Sequence, residues 1–182
     1  MTFLRIIHIS CVLFISLFGS SSVQAGQTLP SLFDTPAQRS GFHFQLAVGT
    51  GAGNLASGTL TILELGYTFE NDYTLMFWHP MIENDSNQSP TVASRYPDVL
   101  IGIKKSAFYK ELVFKIGFGG GGAHEPDFSE ASLGLGWAYG VDLHYPMGSG
   151  GHGFTLAFTV HHVQLKDRHF EAASQGLGYT VF

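Results

Sequence analysis

The chain has 182 residues, of which 45% are hydrophobic, 14% aromatic and 13% charged, and its formal net charge is −5. This length fits one domain, and an acidic chain without a basic patch excludes nucleic acid as a partner. The single cysteine, Cys11, lies near the amino terminus, so the rest of the chain holds no disulfide.

Residues 1–25 have the pattern of a secretory signal peptide. Arg5 precedes a short apolar run at 11–19, and the small residues of 23–25 precede Gly26. Cleavage there leaves about 157 residues with a formal charge of −6, because Arg5 is removed. The apolar run is too short for a membrane-spanning helix, which makes an uncleaved anchor the weaker alternative.

Residues 26–40 lack sustained periodicity and are predicted to form an irregular tail before the fold. From residue 41 to residue 182 the pattern changes, because eight segments alternate in polarity with the period of a β-strand. These segments are 42–48, 62–69, 73–78, 98–104, 112–118, 132–145, 154–161 and 176–181.

The longest alternation, Ser132–Tyr145, is the clearest. Its odd positions are leucine, valine and aromatic residues, and its even positions are mostly glycine, alanine and serine. A soluble antiparallel sheet usually shows longer polar side chains to water on its second face. A face of small residues fits the inside of a narrow barrel, so this segment is predicted to be a transmembrane strand with Leu135 facing lipid at mid-membrane.

The connections alternate in length. Short links at 70–72, 105–110 and 146–153 are predicted to lie at one end of the fold. Longer links lie at the other end, at 49–58, 81–96, 119–131 and 164–170, and Gly119–Gly122 is interpreted as a flexible loop start. The predicted fold class is all-β, an eight-stranded antiparallel up-and-down transmembrane β-barrel.

An eight-stranded barrel is filled by side chains rather than open as a pore. Alternation points eight polar side chains of both signs into this lumen, where they need hydrogen-bonding or ionic partners. The predicted lumen network is His43, Glu64, Asp98, Lys104, Lys115, Asp142, His144 and His161. Its expected role is structural.

With its eight segments, its signal and its terminal Phe182, the chain resembles the small outer-membrane barrels of Gram-negative bacteria, the OmpA/OmpX-like group. The closing segment 176–182 is similar to the strand that the barrel-assembly machinery recognises through a terminal Phe. Thr180 stands where that strand usually has an aromatic residue and Tyr179 is one position away, which suggests a register slip or bulge.

The resemblance implies a monomer in the bacterial outer membrane, in contact with outer-membrane lipid and lipopolysaccharide. Residues 26–40 would then be a periplasmic tail. The implied function is non-enzymatic, in envelope integrity or surface interaction. A soluble secreted barrel that binds a small apolar ligand is a further alternative, and it would reverse which face points inward.

The chain also resembles, more weakly, the PagL-type lipid A 3-O-deacylases, whose catalytic residues face the membrane from the last two strands. The resemblance implies His162 as base and Glu171 as its orienting acid. Gln164 occupies the nucleophile position, Leu165 replaces the asparagine that usually follows, and the nearest serine, Ser174, falls on the opposite face. An outward-facing lipid A acyl-ester hydrolase is therefore the alternative function.

No cofactor and no metal site are predicted. His161 and His162 point to opposite faces of one strand, so they cannot chelate one ion together. The loop residues His124, Glu125, Asp127 and Glu130 are interpreted as a solvated acidic loop, because a hard-cation site needs several oxygens in a defined geometry.

Overall fold

The structure is a computed structural model that describes residues 30–32, 40–54, 57–70, 73–84, 95–123, 132–147, 151–166 and 168–181. The predicted signal peptide, most of the tail, the acidic loop at 124–131 and Phe182 lie outside these residues. The eight strands are β1 (Gly41–Gly53), β2 (Ser57–Thr68), β3 (Tyr73–Asn84), β4 (Arg95–Ala107), β5 (Tyr109–Ala123), β6 (Ser132–Pro146), β7 (His152–Gln164) and β8 (His169–Val181).

The strands form one closed barrel in which each pairs antiparallel with its neighbours in sequence, and β8 returns to pair with β1. The predicted eight-stranded up-and-down barrel is confirmed. At what we call the turn end, β2, β4 and β6 end and β3, β5 and β7 begin, together with Gly41 of β1 and Val181 of β8. At the opposite, loop end, β1, β3, β5 and β7 end and β2, β4, β6 and β8 begin.

The two faces of each strand are those that the alternation predicts. In β6, Leu133 and Leu135 are 80% and 71% exposed, whereas Ala138 and Asp142 are completely buried. The outside of the barrel is therefore apolar, and the inside holds small and polar side chains together with some large apolar ones such as Trp78. This is the reverse of a soluble barrel that encloses an apolar ligand.

Strands are longer at the loop end than the sequence predicts. The segment Gly119–Gly122 is not a loop start but belongs to β5, and Gly119 pairs with Leu100 of β4. A Cβ on Gly119 would lie 2.1 Å from the carbonyl oxygen of Val99. Glycine is thus needed here for close backbone approach in a regular strand.

The predicted long links at 49–58 and 164–170 are also wrong in extent. Strand β1 continues to Gly53 and β8 begins at His169, which leaves only residues 54–56 and 165–168 outside the strands. Both ends are held by cross-strand pairing, since Gly53 pairs with Ala172 and Gln164 pairs with His169. Glycine and polar residues at these positions are typical of loops, but here their backbone groups take part in the hydrogen-bonded pairing of the strands.

The suspected slip near the carboxyl terminus is absent from the described part of β8, whose pairing with β1 and β7 is continuous. Thr180 is buried while Tyr179 is 42% exposed, so the aromatic ring faces outward in the regular alternation. The irregularity lies elsewhere, between Ser106 and Ala107 of β4. There Phe108 alone links β4 to β5 with a positive φ of 66°, a strained conformation for an aromatic residue.

A short part of the tail is described, and it lies against the turn end. The backbone N–H of Lys110 donates to the carbonyl oxygen of Pro30 over 3.1 Å. Ser31 Oγ and the Leu32 N–H donate to the two carboxylate oxygens of Glu111, at 2.5 and 2.9 Å. Glu111 is completely buried, so these bonds tie the tail to the barrel mouth.

Aromatic side chains surround the turn end on its outer face. Each of the following is 37–61% exposed: Phe42, Tyr67, Phe69, Tyr73, Phe108, Tyr109, Tyr145 and Phe154. Aromatic girdles of this kind mark the interfaces of membrane barrels. No helix in the described ranges is long and apolar enough to cross a bilayer.

Candidate functional site

The lumen is the first candidate site. All eight side chains of the predicted network lie inside the barrel, and each is at most 2% exposed. The structure divides them into three groups rather than one. A five-residue charged cluster is flanked by an Asp–His pair towards the loop end and by a histidine–threonine chain towards the turn end.

Glu64 of β2 is the centre of the charged cluster. Its Oε2 accepts a hydrogen bond from Lys104 Nζ and its Oε1 accepts one from Lys115 Nζ, both over 2.6 Å. His43 Nε2 of the neighbouring strand lies 3.5 Å from Oε2. One carboxylate thus joins β1, β2, β4 and β5 across the lumen.

Asp142 of β6 completes the cluster. Lys115 Nζ lies 2.8 Å from Asp142 Oδ1, and Lys104 Nζ lies 3.6 Å from Oδ2. The Lys115 ammonium also lies 4.7 Å from the ring centroid of Trp78, a cation–π contact in a fully buried setting. Two lysines face two carboxylates, so the buried charge is balanced and the cost of desolvation is offset.

The group towards the loop end contains Asp98 and His161. His161 Nδ1 lies 3.2 Å from Asp98 Oδ2, and the His161 ring meets Phe170 edge-on at 5.6 Å. His79 Nδ1 also lies 2.5 Å from the backbone oxygen of Asp98. These contacts connect β3, β4, β7 and β8 near the loop end of the barrel.

The group towards the turn end is the histidine–threonine chain. His144 Nδ1 lies 2.6 Å from Thr155 Oγ1, which lies 2.5 Å from Thr180 Oγ1. Thr180 Oγ1 in turn donates to Gln45 Oε1 over 3.3 Å. Thr180 therefore closes the seam between β8 and β1 from inside, which explains a hydroxyl rather than an aromatic side chain at this position.

The buried apolar side chains fill the remaining space between these groups. Trp78, Ile62, Met76 and Leu100 each point inward and are at most 2% exposed. Such a lumen is a packed core crossed by ion pairs, as expected for an eight-stranded barrel, whose interior is filled by side chains. These contacts connect strands across the interior, and their structural role stays a prediction.

A second candidate site lies on the outer wall at the loop end, and the sequence only partly reveals it. It contains His162 of β7 with His169 and Glu171 of β8, which we call the His–Glu cluster. His169 Nε2 lies 3.5 Å from Glu171 Oε2, and His162 Nδ1 lies 3.9 Å from the same oxygen. Sequence analysis did not identify His169, because it predicts a loop at 164–170.

An aromatic ring and an amide side chain contact the His–Glu cluster. Trp137 of β6 stacks on His162, with ring centroids 5.0 Å apart and an interplanar angle of 6°. Asn54, just beyond β1, donates from Nδ2 to the His169 carbonyl oxygen over 2.8 Å and accepts from the Glu171 N–H over 2.9 Å. Three neighbouring strands and the β1 end therefore hold the cluster.

The residues of the hydrolase alternative are only partly brought together. His162 and Glu171 are direct cross-strand partners on the outer wall. Ser174 instead lies on the lumen side, where its Oγ donates to the carbonyl oxygen of Thr159 over 3.1 Å. Gln164 stands on the outer wall next to His162, and its amide donates to the Leu165 carbonyl oxygen over 3.0 Å.

No protein-family model matches the chain, and comparison with curated protein sequences finds no match. Solved structures do match. Ail, the attachment invasion locus protein of Yersinia pestis, in complex with the heparin analogue sucrose octasulfate, has a TM-score of 0.56 and 14% identity. The match covers 78% of this chain and 99% of that one.

Two further structures give the same result. Neisserial surface protein A has a TM-score of 0.53 at 16% identity, covering 78% of this chain and 97% of that one. The outer membrane protein Ail of Yersinia pestis, in a phospholipid bilayer nanodisc, has a TM-score of 0.52 at 14% identity, covering 77% and 99%. At these identities the likeness concerns architecture: the chain has the fold of the small eight-stranded outer-membrane barrels.

Proposed function

We propose that this chain is an integral protein of the bacterial outer membrane, without enzymatic activity, that contributes to envelope integrity or surface interaction. The observation that carries the proposal is the apolar belt on the outside of the barrel. At mid-height Phe77, Ile101 and Phe118 are neighbours across three strands and are 40%, 69% and 62% exposed. A continuous apolar surface of this kind is unfavourable in water and matches the hydrocarbon of a bilayer.

The filled lumen supports a role other than conduction. The charged cluster and Trp78 occupy the interior, so the parts of the protein available to other molecules are the outer wall and the links. With the turn end in the periplasm, as in bacterial barrels with short periplasmic turns, the strand ends that lead into the links 85–94 and 124–131 face the cell exterior. Lipopolysaccharide and outer-membrane lipid then surround the wall.

The composition of these two links bears on the class of surface partner. Neither contains a lysine or an arginine, and 124–131 carries Glu125, Asp127 and Glu130. The Ail structure holds a heparin analogue, a polyanion. Like charges repel, so in this chain the two links favour neutral or cationic partners over a polyanion at neutral pH.

The proposal extends to biogenesis. Residues 1–25 act as a cleaved signal, and the barrel-assembly machinery receives the chain through the strand that ends at Phe182. Residues 26–40 remain as a periplasmic tail, which the bonds of Ser31 and Leu32 to Glu111 hold at the barrel mouth. The folded barrel is a monomer, since its strands are already closed on themselves and present no free sheet edge.

Expression with the native signal in a Gram-negative host tests the proposal. We expect the protein in the outer-membrane fraction, released by detergent and not by salt or alkaline wash. We also expect different migration of heated and unheated samples in dodecyl sulfate gels, because a closed barrel resists unfolding by detergent. Recovery of the folded chain in the soluble periplasmic fraction would contradict the membrane assignment.

The hydrolase alternative keeps one favourable observation, the juxtaposition of His162 and Glu171 on the outer wall. A catalytic base and its orienting acid act on a nucleophile, and the side-chain amide of Gln164 cannot attack an ester. We therefore expect lipid A from cells with and without the protein to give the same mass spectrum. The deacylase would instead be established if the wild-type protein removed a single acyl chain from lipid A and the His162→Ala variant did not.

A further inference from the structure

We propose that the His–Glu cluster is a binding site for a divalent transition-metal ion of the Zn²⁺ class, held by His162, His169 and Glu171. The site lies on the outer wall at the loop end, and it is independent of the lumen network. Two imidazoles and one carboxylate are a ligand set that zinc accepts, with a fourth position left for water.

The spacing of the ligand atoms fits such an ion. With zinc bonds of about 2.0–2.2 Å, two ligand atoms of a tetrahedral site lie about 3.4 Å apart. His169 Nε2 is 3.5 Å from Glu171 Oε2, which already matches. His162 Nδ1 is 3.9 Å from the same oxygen, and all three ligand groups lie within 4.8 Å of one another. Small side-chain rotations would close the remaining gap.

The Glu171 carboxylate has binding capacity to spare. Its Oε1 is buried and makes no hydrogen bond to any residue in the described ranges. A buried carboxylate oxygen without a partner costs free energy, and a cation bound between the strands would relieve that cost. The Glu171 side chain as a whole is 19% exposed, so it is not sealed from the outside.

The scaffold holds the ligands in a fixed arrangement. Asn54 bonds the backbone of both His169 and Glu171, and the stacked Trp137 ring fixes the plane of His162. A preorganised site of this kind loses little conformational entropy when the ion binds. The His169 side chain is 38% exposed, which gives the ion an entry path from the loop end.

Titration of the purified, folded full-length barrel with Zn²⁺ tests the site, with the extent of folding checked by migration in unheated gels. We expect saturable binding of one ion per chain, weakened at least tenfold by His169→Ala and by Glu171→Gln. The matched control is His152→Ala, a half-buried histidine at the other end of β7, which should bind as the wild type does.

Bound Co²⁺ provides a second readout that does not depend on any activity. Its visible absorption should show a low-coordinate site with nitrogen ligands, and His169→Ala should remove that signal while the barrel stays folded. The proposal is overturned if zinc binding is not saturable, or if it is equal in the wild type, His169→Ala and Glu171→Gln. Because the readout is metal binding to isolated protein, its failure would leave the membrane assignment intact.

Discussion

Replacing Glu64 with glutamine should cost the folded barrel about 3–5 kcal/mol, the usual penalty for removing one partner of a buried ion pair. The Glu64 carboxylate accepts hydrogen bonds from Lys104 and Lys115 at 2.6 Å, and no part of it is exposed. Glutamine keeps the shape but leaves two buried ammonium groups facing the single carboxylate of Asp142. Urea unfolding in lipid vesicles, followed by the fluorescence of the two tryptophans, Trp78 and Trp137, measures the loss.

The matched control restores the charge balance. In Glu64→Gln combined with Lys104→Met, the remaining Lys115 still pairs with Asp142 at 2.8 Å. We expect the double variant to be more stable than Glu64→Gln alone, because one uncompensated charge has been removed. A double variant as unstable as the sum of its two single changes would show that the cluster does not act through charge balance.

Much of this barrel could be predicted from the sequence, because the side-chain period of a strand determines which residues share a face. The alternation in β6 alone places Asp142 and His144 inside and Leu133 and Leu135 outside, as observed. Burial of an ionisable side chain in a narrow lumen then requires a partner of opposite sign. What the pattern leaves open is which side chains meet, since that depends on the stagger between strands.

The loop end was the least predictable part for the same reason. Polar composition at 164–170 resembles a loop, yet pairing with β7 extends β8 to His169. This pairing adds His169 to the two residues, His162 and Glu171, that the PagL-type resemblance already implied. A site formed by cross-strand neighbours is invisible to spacing along the chain, and it emerges once the register is known.

The strand register also changes the position on the outer wall at which a charged residue is expected to destabilise the barrel most. From the sequence alone Leu135 is the natural choice for mid-membrane, because it lies in the most regular strand. In the structure it pairs with Gln164, the last residue of β7, so it stands near the loop-end rim. Ile101 is the seventh residue of the thirteen in β4 and pairs with Phe77 and Phe118, at the middle of the belt.

Ile101→Arg should therefore impair assembly far more than Leu135→Arg. Arginine on the lipid face costs about 2–4 kcal/mol at the midplane and about 0–1 kcal/mol near an interface. Packing does not explain the contrast, because the two side chains are similarly exposed, at 69% and 71%. The yield of folded protein in the outer membrane and the urea midpoint in vesicles both measure the difference. Equal costs at the two positions would mean that the belt is not centred on Ile101, whereas a graded series through intermediate heights would locate the bilayer along the barrel wall.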